Sequence, residues 1–157
     1  MNIRPLRRED KEPIERLLRA TDVFSEEEIG VAIELVGIYL DDADQKDYEL
    51  FSSVDETEAV TGYVCVGPTP STHGTYDLYW IAVNPTEHGK GVGSQLLRFV
   101  EGHLKAKGGR MLIAETSSTP KYENTRAFYE RKGFVRHACI KEYYRPGDDL
   151  IIYGKDI

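Results

Sequence analysis

Three glycines in alternate positions, Gly89, Gly91 and Gly93, separate an apolar strand-like segment from a segment with the periodicity of an amphipathic helix. Because glycine has no Cβ, successive backbone N–H groups at such a turn can converge on an anion. The helix that begins there adds its positive dipole end. A turn without a ligand has no need of three glycines, whose ordering costs conformational entropy. The pattern therefore predicts a strand, a phosphate-binding turn and a helix in succession.

The glycine spacing excludes two common phosphate-binding motifs. A P-loop needs Gly-x-x-x-x-Gly-Lys-Ser/Thr, whereas here Lys90 lies between two glycines and Val92 follows Gly91. The dinucleotide fingerprint Gly-x-Gly-x-x-Gly needs a third glycine where Ser94 or Leu96 stands. The turn therefore has another form, Gly-x-Gly-x-Gly.

A second motif follows the glycines along the chain. Phe128 and Tyr129 form an aromatic pair on a segment with helical periodicity, and Gly133 and Phe134 come soon after. Alone, such a pair is typical of core aromatics on an amphipathic helix. Together, the glycine turn resembles motif A of the GNAT superfamily of N-acetyltransferases, and residues 125–134 resemble its motif B. The C-terminal half is similar to the ribosomal-protein alanine acetyltransferases, a branch of that superfamily.

Hydrophobic periodicity and breaker residues predict elements in the order β-α-α-β-β-β-α-β-α-β-β. The predicted strands cover residues 2–6, 48–54, 59–66, 75–83, 111–116, 134–144 and 150–155, and the helices cover 10–20, 25–40, 92–105 and 122–132. This order is that of the GNAT fold. The resemblance implies an α/β (α+β) domain over residues 1–157, whose central, mixed, mostly antiparallel sheet has about seven strands and about four flanking helices.

The resemblance implies acetyl-CoA as cosubstrate, with its pyrophosphate on the glycine turn. His88 stands where the family usually has Gln or Arg, and we expect it to donate to the pyrophosphate. The family often has Asn seven residues before the motif B tyrosine; Tyr122 occupies that position here, and Asn124 lies two residues on, so either could take over its contact. The expected cofactor-binding residues are Ile81, Ala82, Val83, His88, Gly89, Lys90, Gly91, Val92, Gly93, Ser94, Asn124 and Phe128.

Amine acetylation requires two proton transfers, and the sequence offers candidates for both. The departing thiolate needs a proton, which a phenol with a pKa of about 10 can donate, so Tyr129 is the candidate general acid. The incoming ammonium must lose a proton. Glu115 occupies the position of a catalytic Glu in the ribosomal-protein branch and could act through water or after burial raises its pKa. Asp77 and Tyr79 are the competing choices, with Asp77 the better acceptor.

The sequence indicates less about the acceptor amine than about the acetyl donor. Tyr143 and Tyr144, with Asp148 and Asp149 close by, are candidate residues of its pocket, although strand and turn roles explain them equally well. A small cationic amine, an amino acid or a protein N-terminus would each serve as acceptor. Two rival functions stay open, a non-catalytic acyl-CoA sensor and a protein that binds another nucleotide. Family members are often dimers, so a homodimer is a further option.

Composition and charge narrow the expected binding partners, cellular location and metal content of the protein. The formal charge of −7 disfavours nucleic acid as a partner and favours a cationic ligand. No apolar run reaches the roughly 20 residues that cross a bilayer, and no signal peptide is recognisable, so we expect a cytoplasmic protein with no membrane contact. Cys65 and Cys139 lie in apolar strand-like runs without metal-ligand spacing, which predicts buried free thiols and no metal.

Overall fold

A computed structural model of the chain describes residues 1–157, with a seven-stranded sheet in the order β1-β2-β3-β4-β5-β7-β6. The element order and strand number confirm the predicted GNAT architecture. The strands are β1 (Asn2–Pro5), β2 (Glu49–Val54), β3 (Val60–Pro68), β4 (Thr75–Val83), β5 (Met111–Ser117), β6 (Val135–Arg145) and β7 (Asp148–Asp156). The helices are α1 (Lys11–Ala20), α2 (Glu26–Asp41), α3 (Val92–Ala106) and α4 (Glu123–Arg131). Most predicted boundaries differ from these by one or two residues, as fraying ends allow.

The sheet carries a hydrophobic core on each face. On one face, α3 and α4 cover a cluster that includes Leu96, Leu97 and Tyr153. On the other face, α1 and α2 cover a second cluster that includes Leu17 and Tyr63. Because side chains alternate along a strand, neighbouring residues of β3 and β4 serve opposite cores.

Local chemistry explains where α2 begins. Ser25 Oγ accepts a hydrogen bond from the Glu28 N–H at 3.1 Å, and Glu28 Oε1 accepts one from the Ser25 N–H at 3.0 Å. This reciprocal pair confirms the capping box read from the sequence. It also fixes the Glu28 side chain at the start of α2.

The only parallel pair in the sheet, β4 with β5, is short. Its register covers Thr75–Asp77 against Met111–Ile113 and then stops, although both strands continue. A register shift between β3 and β4 falls at Cys65 and Val66, so β4 has an extra residue opposite this point. Such a bulge bends its strand and strengthens its twist. Strands β4 and β5 therefore part beyond Asp77, and we call the space between β4 and β5 the strand opening.

The two cysteines differ from each other, in contrast to the prediction. Cys65 is buried between β2 and β4, as expected. Cys139 is exposed, so the prediction that it is buried was wrong. The physical reason is that it lies on β6, an edge strand whose eleven residues are all exposed. Apolar alternation in β6 indicates a strand but does not show whether anything covers it.

Candidate functional site

The backbone of the glycine turn has a conformation that other residues rarely adopt. Gly89 has φ 82° and Gly91 has φ 81°, both in the left-handed region. No atom lies within 4 Å of the point where a Cβ would stand on either residue. Glycine is therefore required here by backbone geometry, and the space above the turn is open to a ligand.

The start of α3 supplies hydrogen-bond donors to this space. The N–H of Gln95 makes the first backbone hydrogen bond of the helix, to Gly91 O at 3.0 Å. The amides of Val92, Gly93 and Ser94 precede that bond, and the first N–H groups of an α-helix have no partner within it. Donors and helix dipole at this end together fit a phosphate group.

Gly93 differs from the other two glycines. A Cβ on Gly93 would lie 3.2 Å from the ring of Phe128 on α4, which is tight for real side chains. Its missing side chain thus permits close packing of α3 on α4. Phe128, an expected cofactor-binding residue, lies directly behind the turn.

The side chains of Lys90 and His88 in the turn are exposed to solvent. Lys90 forms an ion pair with Glu87 at 3.0 Å, yet its side chain is 61% exposed. His88 is exposed next to it. Exposed ion pairs contribute little energy, so Lys90 can turn toward an anion at small cost. The expectation that His88 and Lys90 contact a phosphate stays a prediction, and their exposure in the turn is compatible with it.

The edge of β4 provides backbone groups to the strand opening. The N–H of Asn84 donates to Thr61 O at 2.8 Å, which marks this pair as hydrogen-bonded. Since such pairs alternate along an antiparallel ladder, Ala82 bonds to β3, whereas the polar backbone groups of Ile81 and Val83 point toward β5. Because β5 has parted from β4 at this level, Ile81 and Val83 face the opening. The side chain of Ala82 is buried against the α1–α2 core instead.

Tyr129 on α4 is almost completely buried. Its ring packs against Phe134 and Tyr153, with centroid distances of 5.1 and 5.8 Å. Burial raises the pKa of the Tyr129 phenol above its ordinary value. The phenol is therefore protonated at neutral pH, which is the form that a general acid requires.

Glu115 lies at an exposed position of β5. Of the two possibilities raised by the sequence, action through water therefore fits its environment and activation by burial does not. The reason for the exposure is that β5 loses its neighbour β4 beyond Ile113, which uncovers one side of the strand. Glu115 nevertheless lies within the strand opening, two residues beyond the last paired position.

Asp77 and Tyr79 lie at the start of the opening. Asp77 is in the paired part of β4, opposite Ile113, and its Oδ2 accepts hydrogen bonds from Thr69 Oγ1 at 2.9 Å and Tyr79 Oη at 3.4 Å. Burial, followed by the charge of Asp77, raises the pKa of Tyr79 to about 12. Asp77 Oδ2 thus has two donors and Asp77 lies in the paired part of β4, whereas Glu115 has no side-chain partner and lies beyond the paired part of β5.

Four aromatic residues line the opening on the α1–α2 face, and we call them the aromatic wall: Phe24, Trp80, Tyr122 and Tyr144. Phe24 packs edge-on against Trp80 at 5.1 Å and against Tyr122 at 6.2 Å. Burial raises the pKa of Tyr144 to about 12, and the nearby carboxylates of Glu115, Asp148 and Glu28 add to the effect. The carboxylates of Glu115, Asp148 and Glu28 thus lie close to the aromatic wall.

The hydroxyl of Tyr122 donates to Glu28 Oε2 at 2.5 Å. Of the two alternatives raised by the sequence, Tyr122 is therefore committed to Glu28, whereas Asn124 is exposed in the first turn of α4. Sequence reasoning missed Phe24, Trp80 and the second role of Glu28. Glu28 and Tyr122 are 94 positions apart, so no local pattern could have paired them.

Tyr143 lies outside the wall. It is 56% exposed and packs edge-on against Tyr144 at 5.1 Å. Asp149 holds this part of β6, because its Oδ1 accepts from the Glu142 N–H at 2.9 Å. Four residues, 141–144, oppose Asp149 alone in the β6–β7 register, so Tyr143 and Tyr144 both lie in a bulge of β6.

No group of three or more His, Cys, Asp or Glu side chains is arranged to hold a metal ion. None of the helices combines the length and apolar character that crossing a membrane requires.

Two parallel strands that part beside a phosphate-binding turn suit a long ligand with phosphates at one end, which is the form of a coenzyme A thioester. Such a site places the protein among acyltransferases of mixed α/β fold. The chain belongs to the Acetyltransferase (GNAT) family, whose family model matches residues 12–134, and the protein is an acetyltransferase.

Several solved structures share this fold. A crystal structure of an acetyltransferase assigned to the GNAT family, from Desulfovibrio desulfuricans, is 43% identical and superposes with a TM-score of 0.92, covering 99% of this chain and 98% of that one. An aminoglycoside 6'-N-acetyltransferase complexed with coenzyme A shares the fold at 17% identity, with a TM-score of 0.77 over 99% of this chain and 97% of that one. The ribosomal-protein-S18-alanine N-acetyltransferase of Escherichia coli shares it at 20% identity, with a TM-score of 0.76 over 99% and 93%.

A partial sequence match adds one curated relative. The S-(2-succino)cysteine N-acetyltransferase of Bacillus subtilis (strain 168) is 30% identical over 70 residues, or 45% of this chain. The match spans 42% of that protein's length.

Proposed function

We propose that the protein is an acetyl-CoA-dependent N-acetyltransferase that acts on a primary amine by direct attack. The acceptor is a small cationic amine, an amino acid or a protein N-terminus, and the enzyme works in the cytoplasm without a metal. The observation that supports the proposal is the glycine turn at the start of α3, which follows β4 beyond the point where β4 and β5 part. Family membership supports acetyl-CoA as the donor, since the related fold of an aminoglycoside acetyltransferase was solved with coenzyme A.

In this proposal one set of residues binds acetyl-CoA and another set transfers the protons. The amides at the start of α3, with His88 and Lys90, would hold the pyrophosphate, and the backbone of Ile81 and Val83 would bind the arm that follows. Bound acetyl-CoA supplies an acetyl thioester, whose transfer forms a C–N bond and breaks a C–S bond. Tyr129 donates a proton to the sulfur as it leaves, and Glu115 accepts the amine proton through water.

Replacement of Tyr129 by Phe tests the chemistry. Tyr129→Phe removes only the hydroxyl, so turnover should fall by about a hundredfold, the usual scale for a general acid, while CoA affinity stays the same. Turnover is measured by acetyl-CoA consumption over a panel of amines that includes N-terminal peptides, and affinity by calorimetry.

The matched control is Tyr153→Phe, on the same face of the sheet. The Tyr153 hydroxyl is buried without a hydrogen-bond partner, so its loss should leave both turnover and folding intact. Equal turnover in the wild type and Tyr129→Phe would remove Tyr129 from the mechanism. CoA binding without acetyl-CoA consumption on any amine would favour the alternative, a non-catalytic acyl-CoA sensor, and ATP or NAD binding without CoA binding would favour a different nucleotide.

A further inference from the structure

The aromatic wall has the chemistry of a site for an organic cation. Trp80 and Tyr122 both contact Phe24, and the three rings form a continuous layer beside the strand opening. All three residues are half-buried, so ring surface is available to a ligand. An ammonium group near the face of a Trp or Tyr ring is attracted by the ring quadrupole.

Two carboxylates adjoin the wall without an ion-pair partner. Neither Glu28 nor Glu115 takes part in any of the ten salt bridges of the structure, which range from Arg4–Asp10 to Lys155–Glu101. Glu28 accepts one hydrogen bond at each oxygen, from the Ser25 N–H and from Tyr122. An ionised carboxylate has about four acceptor positions, so Glu28 keeps room for an ammonium donor.

Two basic side chains of this region already have hydrogen-bond partners. Arg126 Nη1 donates to the carbonyl oxygens of Ser117 and Thr119, at 2.8 Å each. Lys141 pairs with Asp149 at 3.3 Å. Asp148 adds a further carboxylate, held by the Ser117 hydroxyl at 2.5 Å. The carboxylates of Glu28, Glu115 and Asp148 thus outnumber the two basic groups of this region, and the wall favours a cation over an anion.

We infer that the acceptor is a small aliphatic amine that carries a second ammonium group and no carboxylate. One amine reacts in the strand opening, while the second ammonium lies against the aromatic wall and Glu28. This inference rests on the proposed acetyl transfer and adds the class of acceptor to it. Glu28 is then a specificity-determining residue, since it recognises the substrate at a distance from the reacting nitrogen.

Three acceptors with four carbon atoms each test the inference: putrescine, n-butylamine and γ-aminobutyrate. They place an ammonium, a methyl and a carboxylate at the far end. We expect the wild-type kcat/KM to be about tenfold higher for putrescine than for n-butylamine, as one charge-assisted contact allows, and lowest for γ-aminobutyrate.

The variant Glu28→Gln removes the charge and keeps the fold, because Gln also completes a capping box. We expect it to lower the preference for putrescine over n-butylamine by about tenfold. The matched control is Glu27→Gln in the same helical turn, an exposed residue with no side-chain contact, which should leave the preference unchanged. An unchanged preference in Glu28→Gln, or wild-type turnover of γ-aminobutyrate that equals that of putrescine, would overturn the inference.

Calorimetry with putrescine and the CoA-bound protein separates this inference from the acetyl transfer on which it rests. If putrescine binds, and binding is lost in Glu28→Gln while no amine is acetylated, the wall recognises a diamine and the transfer proposal fails. If n-butylamine is acetylated with the same kcat/KM as putrescine, the transfer stands and the inference fails. Absence of putrescine binding also overturns the inference.

Discussion

At the scale of single residues, Gly91 has a role that its backbone conformation fixes. With φ 81°, it is the last residue before α3, and an alanine there would have to adopt a left-handed conformation. That conformation costs about 1–2 kcal/mol for a residue with a Cβ. We expect Gly91→Ala to lower the free energy of unfolding by this amount and to weaken CoA binding, measured by thermal unfolding and calorimetry.

Gly102 provides the comparison, because it lies inside α3 with no atom near its Cβ position and with no left-handed φ. Gly102→Ala should stabilise the protein by about 0.5–1 kcal/mol, since alanine is the better helix former. CoA affinity should not change in this variant. If both substitutions had the same effect on stability, the conformational argument for the turn would be wrong.

At the scale of elements, a buried ion pair ties β1 to α1 and β2. Asp10, which is 3% exposed, accepts hydrogen bonds from Arg4 at 2.7 Å, the Arg7 N–H at 2.9 Å and the Ser52 hydroxyl at 2.9 Å. Burial alone would raise the pKa of Asp10, but these three donors outweigh it, so the pKa is lowered. Breaking such a pair leaves the nearly buried Arg4 side chain with Glu58, exposed and at longer distance, as its only ion-pair partner.

We expect Asp10→Asn to lower the free energy of unfolding by about 3–5 kcal/mol at neutral pH. A carboxyl whose pKa falls on folding stabilises the protein above its unfolded pKa of about 4, and this stabilisation is lost as the pH falls through the folded value. Denaturation at several pH values should therefore show that the variant differs least from the wild type in strong acid.

Glu58→Gln is the control for this prediction, because Glu58 also pairs with Arg4, at 3.4 Å, but its side chain is 61% exposed. Exposed pairs are worth less than about 1 kcal/mol. A loss as large as that of Asp10→Asn would show that charge on Arg4, rather than burial of Asp10, governs the effect.

At the scale of the whole molecule, the sequence predicted what local patterns encode. Hydrophobic periodicity predicted the strands and helices, and the three glycines predicted the turn that precedes α3, because both depend on neighbouring residues. The aromatic wall depends instead on Phe24, Trp80 and Tyr122, which come together only when the sheet forms. The exposure of Glu115 and Cys139 depends on which strands lose or lack a neighbour, and this is a property of sheet order rather than of composition.

The same sheet order leaves one surface uncovered. Every residue of β6 is exposed, including Val135 at 61% and Ile140 at 46%, on a strand with no neighbour on its outer edge. A long exposed strand with apolar side chains is a template for association, and a two-fold axis lets one patch cover its own copy.

We expect a homodimer, with a mass by light scattering of twice 17.8 kDa. Ile140→Lys should produce the monomer, whereas Val31→Lys, at an apolar residue of α2 that is 47% exposed, should leave the dimer intact. A wild-type protein that is monomeric at every concentration would show that β6 is protected by its own bulges and charges.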